Sequence, residues 1–252
     1  MGTGIYIAAA ITTLAAVLFY VFLILRLSGP GGRGAICTAA LVALPLQPLA
    51  FYLVRVPLDA AVRSAIGTDE AYGWITTLYA PLTEEPAKWL PLAIPLVWRA
   101  LKPERVVPLA LAIGLGFGVG EIWFLAEQIS RIPQYQALPF YLFGGFAIER
   151  FYVTFLHGGF VAFVVNRLAT GRSFLSGALA GMALHYILNL PIFLASINAF
   201  GLPGQTWTTI ASLFPLLMVI WLGLRMHGMR PAAPKQTGDG TEPKSSEQSP
   251  NW

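Results

Sequence analysis

Charge is what this chain has least of. Only 11% of its 252 residues are Asp, Glu, Lys or Arg, 56% are hydrophobic, and the mean hydropathy is +0.65. Soluble domains carry about 25% charged residues, so a water-facing surface cannot be covered and a soluble globular domain is excluded. Cysteine is almost absent as well. The single Cys37 lies inside an apolar run, which rules out an intramolecular disulfide and a cysteine-cluster metal site. Aspartate is missing from every long apolar run, and this removes a paired-aspartate mechanism. There is no His-Glu-x-x-His zinc motif. Ser176 has no Gly-x-Ser-x-Gly elbow around it, which argues against a serine–histidine dyad. No internal repeat is visible.

What is present is length in apolar runs. Spans of about 20 residues or more are needed to cross the hydrocarbon. They are expected near 4–26, 35–56, 72–98, 106–128, 139–166, 173–199 and 205–225. The fold class is therefore an all-α polytopic membrane protein, a bundle of about seven transmembrane helices over residues 1–228. The first run lacks a basic leader and reads as a retained helix rather than a cleaved signal. The segment 57–72 reads as an interfacial helix with Leu58, Ala61, Val62 and Ile66 near one face. The stretch 229–252, rich in Pro, Lys, Gln, Ser, Glu and Gly, reads as a disordered cytoplasmic tail.

The formal charge of +4 is a topology signal, not a nucleic-acid patch. Arg26, Arg33, Arg99, Lys102, Arg105, Arg167, Arg172, Arg225, Arg230, Lys235 and Lys244 follow spans 1, 3, 5 and 7, whereas Arg55, Arg63 and Arg131 fall on the other side. Because Lys and Arg are retained on the cytoplasmic side, the N-terminus is expected outside and the C-terminus inside a cytoplasmic membrane.

Eight ionisable residues nevertheless sit inside the apolar spans: Glu84, Glu85, Lys88, Glu121, Glu149, Arg150, His157 and His185. Six of them are formally charged. Left unpaired at the bilayer centre they would cost on the order of 15 kcal/mol, so they should face one another.

Span 3 carries Glu84 and Glu85 between Pro81 and Pro86 and Lys88 two residues beyond, with Thr83 placed to cap a restarted helix. Lys88 lies within reach of either glutamate. One carboxylate held by Lys88 would leave the other to titrate nearer neutrality as a general base. Span 4 places Gly114, Gly118 and Glu121 on one face and Gly116 and Gly120 on a neighbouring one, small residues that let helices approach closely. The run is not a dinucleotide loop, since Val119 occupies the third glycine position. In span 6 Gly177, Gly181, His185 and Asn189 recur every fourth residue on one face. Span 5 adds Glu149, Arg150 and His157. Each element alone also fits a structural ion pair or a helix-gluing hydrogen bond. Together they resemble an active site or a conduction path.

The order Glu84-Glu85-x-x-Lys88, Phe117-x-x-x-Glu121, His157 and His185-x-x-x-Asn189 resembles the PrsW-like and YhfC-like intramembrane proteases, within the wider CAAX-protease and bacteriocin-processing superfamily. Glu149-Arg150 ahead of His157 is similar to the YhfC-like branch. The resemblance covers about residues 75–195. It departs from the wider pattern in Lys88, one position early, and in Val153, where the family has phenylalanine. Both departures point away from a CAAX prenyl-peptide substrate.

The resemblance implies Glu84 as the base activating water, with Glu85 assisting. It implies His157 as a water partner or proton shuttle, and His185 and Asn189 as oxyanion donors. Glu121 would be a further site member, with Lys88, Glu149 and Arg150 as supporting charges. The substrate would be a membrane-embedded protein or peptide. Zinc remains an alternative through His157, His185 and one of Glu84, Glu85 or Glu121, Glu84 first, although Asn189 as the partner of His185 favours a site without metal. The competing classes are a proton- or cation-coupled transporter and a non-catalytic membrane scaffold or immunity factor.

Overall fold

A computed structural model of the chain describes residues 2–29, 31–68 and 70–229. The expected tail lies outside the described residues, apart from Met229. All regular structure among the described residues is helical.

The long helix α1 spans Thr3–Leu27. It is followed by α2, Arg33–Ala43, and the short α3, Leu46–Ala50. A π turn at Phe51–Arg55 runs into α4, Val56–Ile66. Next come α5 (Glu70–Thr76), α6 (Tyr79–Trp89) and α7 (Pro95–Trp98). Four long helices complete the chain: α8 (Val106–Ser130), α9 (Gly144–Ala169), α10 (Phe174–Ser196) and α11 (Gly204–Gly228).

Among the described residues five helices, α1, α8, α9, α10 and α11, are long and apolar enough to cross a bilayer. The α2 helix and the Leu46–Ile66 stretch make a sixth if the 42° bend between them lies within one span. This is a multi-pass membrane protein, and its outer face suits lipid: Leu18 on α1 and Leu224 on α11 are 64% and 71% exposed.

Two of the expected spans are not continuous helices. The second is broken at Leu44 and Pro45, where the chain turns before α3. It also runs on through the π turn, so 57–66 continues that element instead of forming a separate interfacial helix. Of the face expected there, Leu58 and Val62 are half-buried while Ala61 and Ile66 are exposed.

The third is in pieces. Proline lacks an amide hydrogen and clashes with the carbonyl four residues back, and this segment has Pro81, Pro86, Pro91 and Pro95. Pro81 is tolerated in the first turn of α6, and Pro86 lies inside it. Pro91 opens a 3₁₀ turn at Leu90–Ala93, and Pro95 starts α7 after Ile94 leaves the helical region at ψ 127°.

Helix α8 is the axis of the bundle, almost wholly buried and packed against α1, α2 and α9. Helix α9 in turn packs on α10 and α11, while α6 wedges against α10. Glycine makes these approaches close. A Cβ at Gly114 would fall 2.3 Å from the Gly158 backbone nitrogen, and one at Gly116 would fall 1.9 Å from the Ala40 carbonyl oxygen. Gly118 meets Thr154 of α9 and Gly120 meets Leu44 beyond α2, so each glycine face seats a different neighbour. Gly177 packs likewise on the Phe163 carbonyl of α9.

Helix α9 ends in a Schellman motif. Gly171 takes φ 65°, while the Arg172 amide donates to the Arg167 carbonyl at 2.8 Å and the Gly171 amide to Leu168 at 3.2 Å.

Candidate functional site

Helix α6, from the proline-broken segment, and the long helices α8, α9 and α10 converge where the apolar packing stops. The result is a cavity of about 200 Å³ lined by Glu84, Glu121, Glu149, Arg150, His157, His185 and Asn189. Glu85 and Lys88, both fully buried, sit behind that wall. All nine side chains singled out in the sequence therefore belong to one neighbourhood.

Helical geometry explains the shared aim of several of them. His185 and Asn189 are one turn apart on α10, below Gly181, which lets α10 settle onto α9 near the Phe160 carbonyl. Glu121 follows Gly118 by one turn minus a residue, so the close α8–α9 contact delivers its carboxylate to α9.

Two carboxylate–imidazole pairs result. In the inner one, Glu85 Oε1 accepts from Lys88 Nζ at 2.6 Å and lies 2.7 Å from His185 Nδ1. The Lys88 ammonium also faces the Phe117 ring at 4.7 Å and the Phe160 ring at 5.7 Å. This aromatic enclosure is a favourable setting for a desolvated cation. A carboxylate beside an ammonium is an acceptor, so His185 Nδ1 must be the donor and Nε2 is turned to the cavity. The ring is further fixed by stacking on Phe160, centroids 5.4 Å apart.

In the outer pair, Glu121 Oε2 lies 2.8 Å from His157 Nε2 and accepts from Arg150 Nη1 at 2.9 Å. The second Arg150 nitrogen, Nη2, donates to Glu149 Oε1 at 2.7 Å. By the same reasoning His157 donates through Nε2. Its Nδ1 is buried with no hydrogen-bond partner. The two imidazole centroids are 6.3 Å apart.

Two expectations need revision. Thr83 does not cap a restarted helix: it lies inside α6 and its hydroxyl donates back to the Tyr79 carbonyl at 2.7 Å. Lys88 pairs with Glu85 alone, and Glu84 is not left without a counter-charge, because Arg55 Nη2 donates to Glu84 Oε1 at 2.6 Å.

Arg55 is the residue that sequence reasoning missed. The charge alternation uses it only as one of the basic residues on the non-cytoplasmic side, yet the π turn ending at Arg55 swings it onto α6. Its one sequence signal was its place at the end of an apolar run. Helix α11, outside the 75–195 segment that carries the resemblance, contributes Ala211 and Pro215 to one wall of the cavity.

The zinc alternative can be tested on the donor set. His157 Nε2 and His185 Nδ1 each face a different carboxylate, and His185 Nε2 is 3.9 Å from Glu84 Oε2. Among the described residues no three His, Cys, Asp or Glu side chains are grouped to hold a metal ion. His157, His185 and Glu84 thus do not form a ligand set in this arrangement.

Comparison with protein-family models, with curated proteins and with solved structures finds no match.

Proposed function

We propose that the chain is an intramembrane peptidase of the PrsW-like and YhfC-like kind, hydrolysing a peptide bond of a membrane-associated protein with a glutamate-activated water. The observation that carries this reading is the meeting of Glu84, Glu121, His157, His185 and Asn189 on one cavity inside apolar helices. Peptide hydrolysis needs a base, a route for the proton to the leaving nitrogen, and donors for the oxyanion. Those residue types are present together where buried electrostatic interactions are strong.

The geometry suggests how they divide the work. Glu84 Oε1 is held by Arg55, which leaves Oε2 facing His185 Nε2 across 3.9 Å. That gap is too long for a direct hydrogen bond and suits one water touching both atoms. Glu84 takes a proton from this water as its oxygen adds to the scissile carbonyl carbon. The Asn189 amide donates to the developing oxyanion. His185, oriented through Nδ1 by Glu85, steadies the attacking oxygen. As the C–N bond breaks, the proton passes to the leaving nitrogen with His157 as shuttle. One water is consumed, and one carboxylate and one amine are formed.

The same reading counts seven traverses: α1, the bent unit from α2 to α4, the proline-broken unit from α5 to α7, and α8 to α11. The N-terminus is then outside a cytoplasmic membrane and the C-terminus inside. Helix-end contacts support it. Gly4 packs on the Leu138 carbonyl at one end, while Gly32 packs on Arg105 at the end that gathers most of the arginines.

In proteoliposomes holding a membrane-embedded reporter, Glu84→Gln and His185→Ala should each lower cleavage by at least about 100-fold, with helicity and elution volume retained. Undiminished cleavage by both variants would sink the reading. Proton flux across the same liposomes without cleavage would favour the transporter instead.

A further inference from the structure

We infer that Glu149 selects substrates bearing a lysine or arginine a few residues from the cleaved bond; this rests on the peptidase reading above and names its substrate class. A second cleft, of about 570 Å³, opens between α9, α10 and α11. It shares Glu149, Ile192 and Ala211 with the site cavity, so the two spaces adjoin across these three residues. Its wall is otherwise apolar or hydroxylic, with Ile148, Tyr152 and Leu216 prominent, and Glu149 is the one charged residue lining it among the described residues. A peptide lying in this cleft reaches the catalytic cavity past a single carboxylate.

The charge balance says what that carboxylate lacks. Glu84, Glu85 and Glu121 are matched one to one by Arg55, Lys88 and Arg150 at 2.6, 2.6 and 2.9 Å. Both imidazoles are already donors to two of those glutamates. Glu149 must share Arg150 with Glu121 and is therefore the surplus negative charge of the cluster. It is also the accessible one, its side chain 46% exposed against 13% for Glu121 and 5% for Glu84. An incoming cation completes the balance. An incoming carboxylate would meet Glu149 unscreened by any spare basic group on the cleft wall.

Distance sets where that cation belongs. Glu149 Oε1, the Arg150 guanidinium, Glu121 Oε2 and His157 Nε2 are linked in series at 2.7, 2.9 and 2.8 Å, and three such links of about 3 Å put the Glu149 carboxylate within roughly 10 Å of the His157 ring. An extended peptide rises about 3.3 Å per residue, which puts the basic residue roughly two or three positions from the scissile bond. It lies towards the end of the bundle formed by residues 133–143. The long aliphatic stems of Lys and Arg suit the apolar wall leading to Glu149.

The test uses the full chain in proteoliposomes with paired Leu/Ala transmembrane peptides carrying a photo-crosslinker and a fluorogenic label. The members of a pair differ only in Lys or Gln two or three residues from the cut mapped by mass spectrometry. Wild-type protein should prefer the Lys peptide by about fivefold, the scale of a half-exposed ion pair, in both cross-linking affinity and kcat/KM. Glu149→Asp should keep the preference and Glu149→Gln should reduce the ratio to near one. Equal handling of both peptides by wild type, or a preference that survives Glu149→Gln, would overturn the inference while leaving the peptidase reading intact. Lysine-selective, Glu149-dependent cross-linking without cleavage of either peptide would keep the cation site and overturn the peptidase reading.

Discussion

The two carboxylate–imidazole pairs use the same parts in different surroundings. Glu85 and Lys88 are sealed behind the cavity wall, their side chains at 0% exposure, and of this pair only the His185 ring reaches the cavity. Glu121, Arg150 and His157 stand at the cavity itself, where Arg150 and Glu121 retain 11% and 13%. In the sealed pair each charge has one partner of opposite sign and no water to replace it. In the open pair Arg150 is shared between Glu121 and Glu149. The first arrangement holds a ring in one tautomer. The second divides one guanidinium between two carboxylates at a partly accessible cavity. The same parts therefore make a closed anchor in one place and an accessible, shared pair in the other, according to burial.

Breaking the sealed pair should have the largest effect on the fold. Lys88→Met leaves Glu85 buried without its ammonium, a change that typically costs about 3–5 kcal/mol. Thermal unfolding in detergent should show a large drop, and Glu85→Gln added to Lys88→Met should recover part of it. If the single variant melted like wild type, the sealed pair would not be a structural anchor.

The open pair should tolerate more. Glu121→Gln leaves Arg150 with Glu149 and keeps an acceptor for His157, so the stability cost should be about 1–2 kcal/mol and clearly below that of Lys88→Met. The two melts measured side by side test the ranking directly.

A comparison that reaches down to the smallest effect separates a glycine at the close helix approach from one that is not. Gly114→Ala drives a Cβ into α9 and should cost about 1–3 kcal/mol, the usual range for overpacking. Gly144, at the start of α9, has nothing within 4 Å of a built Cβ. Gly144→Ala should be neutral or stabilise by up to about 1 kcal/mol through helix propensity. A Gly144→Ala melt as low as that of Gly114→Ala would show that backbone freedom, not close approach, is what these positions need.

Much of this was legible along the chain. Long apolar runs identify α1, α8, α9, α10 and α11, because no other secondary structure of a single segment satisfies its backbone in lipid. The glycine spacing on α8 is a property of the 3.6-residue repeat, and it correctly separated the face at Gly114 and Gly118 from the face at Gly116 and Gly120. The breaks were harder to read. Four prolines between 81 and 95 signal interruption, but which of them ends a helix depends on where each turn begins.

Pairing was not legible at all beyond one helical turn. Lys88 stood within local reach of two glutamates, and the choice of Glu85 was made by Arg55, which arrives from 29 residues away to occupy Glu84. Composition and helical periodicity by themselves determined that this chain is a bundle of apolar helices with costly polar groups turned inward, since both follow from local transfer energies and the geometry of one helix. Only the tertiary structure decided which acid meets which base, because at membrane depth a charge takes the partner that packing brings within about 3 Å, and sequence order does not encode that distance.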